Sequence, residues 1–150
     1  MHIEGEERIP APRETVWTAL NDIETLRQCI PGCQSLEQST PTQLVATVRL
    51  KIGPVSATFN GEISLSNITP PESYTISGEG KGGIAGFGKG AADVFLVEDG
   101  PETVLRYSAQ AQVGGKLAQL GSRLIESSSR KLAQQFFADY NTALTAKTRP

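Results

Sequence analysis

The feature that most constrains this chain is an apolar stripe in its last third. Leu117, Leu120, Leu124, Leu132, Phe136, Tyr140 and Leu144 recur at steps of three and four, with Ser128 at the one missing beat. That period predicts one helix from Lys116 to about Leu144, on the order of 40 Å long at ~1.5 Å per residue. Gly114 and Gly115 break the preceding pattern, and Lys147, Thr148, Arg149 and Pro150 end the helix. A helix of this length cannot bury its stripe alone, so the upstream chain must provide a concave surface that receives it.

The upstream sequence fits that demand. His2 to Ile9 reads as a strand, with Glu4, Glu6 and Arg8 on one face and Ile3 and Ile9 on the other. Pro10 and Pro12 stop it, and Pro12 suits the first turn of a helix because no amide partner is needed there. Val16, Trp17 and Leu20 form the apolar face of that short helix. A second one, capped by Asn21-Asp22, turns Ile23, Leu26 and Ile30 inward before Pro31-Gly32. Both read as a prop beneath a sheet.

From Leu36 to Val113 the period changes to two. Leu44, Ala46, Val48, Leu50 and Ile52 alternate with polar or outward positions, Gly53-Pro54 turns the chain, and Val55, Ala57, Phe59, Gly61, Ile63 and Leu65 return. Further turns at Pro70-Pro71 and Asp99-Gly100-Pro101 separate strands carrying Tyr74 and Ile76, then Ala92, Val94 and Leu96, then Leu105, Tyr107, Ala109, Ala111 and Val113. With a weak strand near Ser35 to Gln38, about seven strands result, antiparallel because every connection is short. The expected fold is α+β: a curved antiparallel sheet wrapped around one long helix, the helix-grip arrangement, in a single domain over residues 1–150.

The face turned toward the helix is unusual. Ala57, Gly61, Gly78, Gly80, Gly90, Ala92, Ala109 and Ala111 are too small to reach the helix, and Gly121 and Ser128 thin the helix's own surface. Interiors pack densely, so either the sheet flattens onto the helix or the space holds a ligand. The second reading gives a mainly aliphatic pocket lined by Ala57, Phe59, Gly61, Tyr74, Gly78, Ala92, Tyr107 and Ala109 from the sheet, and by Leu117, Leu120, Gly121 and Leu124 from the helix. Its contents would be apolar or amphipathic. Tyr107 is a candidate hydrogen-bond donor to a ligand oxygen, or a core tyrosine satisfied within the protein.

The segment from Ser77 to Gly90 contains a literal GxGxxG, Gly78 to Gly83, and P-loop spacing from Gly83 to Gly88-Lys89. Context rejects both, since alternation resumes after Gly90 where a helix is needed, and Gly90 stands where a P-loop has Ser or Thr. The segment reads as a hairpin tip. Ile84 and Phe87 either stand exposed there, covering a pocket mouth or touching a partner or membrane, or fold inward.

Other chemistry is scarce. The only histidine is His2 beside the terminus, so no catalytic residue is assigned, and Glu126 and Asp139 read as a solvated helix face. Cys29 and Cys33 lack further ligands for a metal and read as thiols in a reducing compartment. A net charge of -2 gives no basis for nucleic-acid binding. The absence of a long apolar run or signal-peptide core predicts a cytoplasmic protein.

Several stretches resemble one family: Ile9-Pro10-Ala11-Pro12 before Val16-Trp17, Ile30-Pro31-Gly32-Cys33, Lys51-Ile52-Gly53-Pro54-Val55, Pro70-Pro71-Glu72-Ser73-Tyr74, Gly78-Glu79-Gly80-Lys81-Gly82, Ala92-Asp93-Val94 and, most specifically, Val113-Gly114-Gly115-Lys116-Leu117-Ala118-Gln119-Leu120-Gly121-Ser122-Arg123. The sequence is similar to the carbon monoxide dehydrogenase G-subunit family, within the START-like, or polyketide cyclase-like, helix-grip superfamily. That resemblance implies a non-catalytic accessory protein of a carbon monoxide dehydrogenase-type molybdenum oxidoreductase. It also implies handling of a quinone or lipid-like molecule, with no other cofactor, and help with association at the inner face of the cytoplasmic membrane. Some members continue into an apolar tail. This chain ends at Pro150, so membrane contact is expected through the glycine-rich tip or indirectly. The alternatives are a protein-protein adaptor with a filled core and, with less support, a cyclase or hydrolase acting on a hydrophobic substrate.

Overall fold

A computed structural model describes the backbone of residues 1–148 and side chains through Thr145. The element order is β1 (His2–Ile9), α1 (Arg13–Leu20), α2 (Ile23–Cys29), β2 (Cys33–Thr40), β3 (Gln43–Ile52), β4 (Val55–Thr69), β5 (Ser73–Lys81), β6 (Phe87–Asp99), β7 (Glu102–Gly114) and α3 (Ser122–Thr148). Short 3₁₀ turns at Gly83–Ala85 and Gly115–Leu120 flank β6 and β7. The seven strands form one antiparallel sheet in the order β1-β7-β6-β5-β4-β3-β2. It is a meander from β2 to β7, completed when β1 pairs with β7 along its whole length, His2 opposite Gln110 through Ile9 opposite Thr103. The helix-grip arrangement is therefore present.

The long helix starts later than its stripe suggests. Residues 115–120 form a 3₁₀ turn, Gly121 takes a φ of +87°, and the α-helix proper begins at Ser122. The cause is geometric, because a 3₁₀ turn also repeats near three residues, so Leu117 and Leu120 continue the stripe without continuing the helix. At its other end the helix is described to Thr148, and the stop assigned to Arg149 and Pro150 lies outside the described residues.

Two cores hold the helix against the sheet. The larger joins Val16, Ala19 and Leu20 of α1 to Tyr74, Val94, Leu96 and Leu105 of the sheet and to Tyr140 and Leu144 of α3. Tyr140 is completely buried, and its hydroxyl donates to the carbonyl of Val16 at 2.8 Å, tying α3 to α1. The smaller core, at the opposite end, gathers Phe59, Ala85, Leu117 and Ile125. Each fully buried Leu or Ile in these clusters contributes roughly 1.5–3 kcal/mol.

The inward glycines and alanines also differ from expectation. Gly78 pairs with Gly90 and Gly80 with Gly88 across β5 and β6. A Cβ on Gly90 would stand 2.6 Å from the carbonyl oxygen of Gln110. These small residues therefore permit close strand backbones in a curved sheet.

Candidate functional site

The space under the curved sheet is an apolar cavity of about 400 Å³ at the α1–α2 end. Leu20, Ile23, Leu26 and Ile30 of the helical pair close one side, while Leu44, Ile63, Leu65, Ile76, Ala92, Val94 and Leu105 form the sheet wall. Ala133, Phe136 and Phe137 of α3 close the remaining side, and Asn21, Gln38 and Pro41 stand at the rim. A dry void of this size costs on the order of 10 kcal/mol at ~24 cal/mol per Å³, as much as a whole domain's stability. The space must be occupied by water or by a ligand.

Aromatic rings shape its wall. Tyr107 stacks on Phe137 with centroids 5.8 Å apart, Phe137 meets Phe136 edge-on at 5.2 Å, and Phe136 stacks near Tyr140 at 6.0 Å. Tyr74 stands edge-on to Trp17 at 5.2 Å. No Asp, Glu, Lys, Arg or His lines the cavity among the described residues. Of its polar side chains, Asn21 donates to the carbonyl of Trp17 at 2.9 Å and Gln38 to that of Pro41 at 3.2 Å. The Tyr74 hydroxyl makes no hydrogen bond among the described residues, and burial raises its pKa far above the ordinary tyrosine value. It is a neutral donor in an apolar wall.

Tyr107 presents its ring to the cavity, while its hydroxyl lies over Gly5 of β1, where a Cβ would collide with it. Burial chiefly, then the charge of Glu7, raises the pKa of that hydroxyl, and Arg130 opposes the shift. Arg106, its neighbour in β7, is exposed on the outer face, as alternation requires.

Of the residues expected at the pocket, the structure brings together Tyr74, Ala92 and Tyr107. Phe59 and Leu117 are buried in the smaller core, with Ala57 and Leu120 packed against it. Leu124 lies against Gly53, its Cδ2 2.7 Å from where a Cβ would stand. Gly61 and Gly78 border troughs on the outer face, Gly121 borders a shallow depression at the start of α3, and Ala109 sits opposite Ala92 outside the cavity lining. The expected site thus moves toward α1 and α2, because Gly90 serves close approach of the β7 backbone and the second core fills the other end.

Missed by sequence reasoning were the α2 face and Phe137. Ile23, Leu26 and Ile30 do turn inward and pack against Leu36, Leu44 and Ala46 as a prop under the sheet, and they also close one side of the cavity. Phe137 falls off the stripe but still faces in, since a sheet curled around a helix covers more than one stripe. At the tip, the two readings divide between neighbours. Ala85 is buried, Ile84 is 87% exposed, and Phe87 is 40% exposed with its ring over Gly114.

No helix of the described residues is long and apolar enough to cross a membrane. Comparison with solved structures shows a conserved protein from Geobacillus kaustophilus with a TM-score of 0.92 and 28% identity, covering 97% of this chain and 96% of that one. A START superfamily protein from Mycobacterium smegmatis aligns with a TM-score of 0.75 at 16% identity, over 98% of this chain and 99% of that one. The Zhui aromatase/cyclase from Streptomyces sp. R1128 aligns with a TM-score of 0.68 at 12% identity, over 99% of this chain and 96% of that one. These last two share the fold. No curated protein sequence matches. Residues 5–145, nearly the whole chain, match the carbon monoxide dehydrogenase G-subunit (CoxG) family, and the protein belongs to that family.

Proposed function

We propose that this protein is a non-catalytic accessory carrier that holds a neutral, quinone- or lipid-like molecule in the α1–α2 cavity. It serves a carbon monoxide dehydrogenase-type molybdenum oxidoreductase and assists that enzyme's association with the membrane. The observation that supports this most is the cavity's chemistry: about 400 Å³ of apolar space, no charged lining residue among those described, and the Tyr74 hydroxyl without a protein partner among them. An ionised ligand would be left uncompensated there, at a cost of several kcal/mol. A ring carbonyl or hydroxyl can take the tyrosine's hydrogen bond while its apolar body replaces water.

Capacity bounds the ligand. An apolar cavity of ~150 Å³ accommodates benzene, so this one suits one or two fused rings with a short substituent. A long isoprenoid or acyl tail would leave through the rim at Asn21, Gln38 and Pro41. The family membership supports the oxidoreductase as partner, and the absence of an acid-base pair from the described lining favours carriage over turnover.

Incubation of the protein with a bacterial membrane lipid extract, followed by native and denaturing mass spectrometry, tests the proposal. A stoichiometric apolar adduct is expected. A protein that stays empty, with a melting temperature unmoved by added quinones or lipids, contradicts it.

A further inference from the structure

The molecule is electrically divided along its strands. Asp22 caps α2 and Glu24 lies in it, Glu72 lies at the β4–β5 turn and Glu98, Asp99 and Glu102 at the β6–β7 turn, all at the cavity end. There Arg27 pairs with Glu24, Arg13 with Glu98, and Arg8 with Asp99 and Glu102. The opposite end is built from the β3–β4 turn, the 3₁₀ tip at Gly83–Ala85, the 3₁₀ turn at Gly115–Leu120 and the start of α3. It carries Lys51, Lys81, Lys116 and Arg123, all exposed and none in an ion pair among the described residues. No Asp or Glu occurs from Gly80 to Ala92 or from Thr103 to Ile125. The nearest carboxylates are Glu79, cross-strand from Lys89 and lining with Glu62 the trough beside Lys81, and Glu126, which pairs with Arg130 at 3.0 Å.

At the same end Ile84 stands exposed. The tip beneath it is fixed. The amide of Gly82 donates to the carbonyl of Gly86 at 2.8 Å, Ala85 is buried in the smaller core, and Gly86, at φ +108°, packs against the backbone of Gly114 and Gly115. A single exposed apolar side chain is ordinary. One held out on a hydrogen-bonded turn, at the end of the molecule that carries four cations without ion pairs among the described residues and the partly exposed ring of Phe87, matches the chemistry of an anionic bilayer.

We infer that this basic tip is a docking surface for an anionic lipid membrane, with Ile84 entering the headgroup region and the four cations meeting lipid phosphates. The inference deepens the membrane part of the proposed function. It also orients the molecule, since the cavity rim then faces away from the bilayer, toward a partner enzyme.

Co-sedimentation of the full chain with vesicles tests it, using phosphatidylcholine alone and phosphatidylcholine mixed with phosphatidylglycerol. Binding is expected to the mixed vesicles only and to weaken with salt. Each cation replaced in Lys81→Gln or Lys116→Gln should lower partitioning about fivefold, and Ile84→Asp at least about tenfold. Phe95→Asp, which removes another exposed apolar residue from the outer face, should change nothing. All variants should keep the wild-type melting temperature and its shift with added quinone. Failure of the wild type to bind, equal binding to neutral vesicles, or unaltered binding by Ile84→Asp overturns the inference. Because the vesicles contain no quinone, this outcome is independent of whether the cavity carries a ligand.

Discussion

Tyr74 is the residue on which recognition turns. Its ring stands edge-on to Trp17, it lines the cavity, and its hydroxyl makes no hydrogen bond among the described residues. Tyr74→Phe should therefore weaken ligand binding by about three- to tenfold, one neutral hydrogen bond, with little change in thermal stability, because no protein partner is orphaned. Calorimetric titration of the two proteins checks this. The tyrosines also set an alkaline limit. Burial raises the pKa of Tyr74 and of Tyr140, with Tyr74 and Cys29 adding to the shift at Tyr140. In the unfolded chain tyrosines lose their protons near pH ~10, whereas the folded protein retains them. The stabilisation is complete below that pH and is lost as pH rises above it. Absorbance titration should show tyrosine ionisation coinciding with unfolding; reversible ionisation of all three tyrosines in the folded protein would contradict this.

At the scale of elements, the grip depends on how α3 is held at both ends. Near its carboxy-terminal end the Tyr140 hydroxyl bonds the Val16 carbonyl, so Tyr140→Phe should cost about 1–3 kcal/mol, read as a lower midpoint in urea. At its start, Gly86 packs on Gly114, and a Cβ there would collide with the Gly114 carbonyl oxygen at a φ of +108°. Gly86→Ala should destabilise by at least about 2 kcal/mol through both effects. These elements show how far the sequence could be read. Period-two alternation from Leu36 to Val113 identified strands and inward faces, because a sheet with one buried face imposes that alternation. The helix start was hidden, since 3₁₀ and α turns share a three-residue step. The site was displaced for a different reason: glycine has the same appearance in sequence whether it opens a cavity or lets two strands bend together, as Gly90 does beside Gln110.

For the whole molecule, function follows from the separation of its two ends. The smaller core fills the space between sheet and helix at the basic tip, so the cavity is confined to the end roofed by α1 and α2. Filling that cavity should abolish carriage without harming the fold. Ala92 lies on its sheet wall, and Phe at that position replaces empty or hydrated space with apolar contact. The most direct measurement is a calorimetric titration of a short-chain, water-soluble quinone into wild-type protein and Ala92→Phe, with melting temperatures recorded for both. One site is expected in the wild type, none in the variant, and a variant at least as stable as its parent. Equal binding by a folded Ala92→Phe would contradict it.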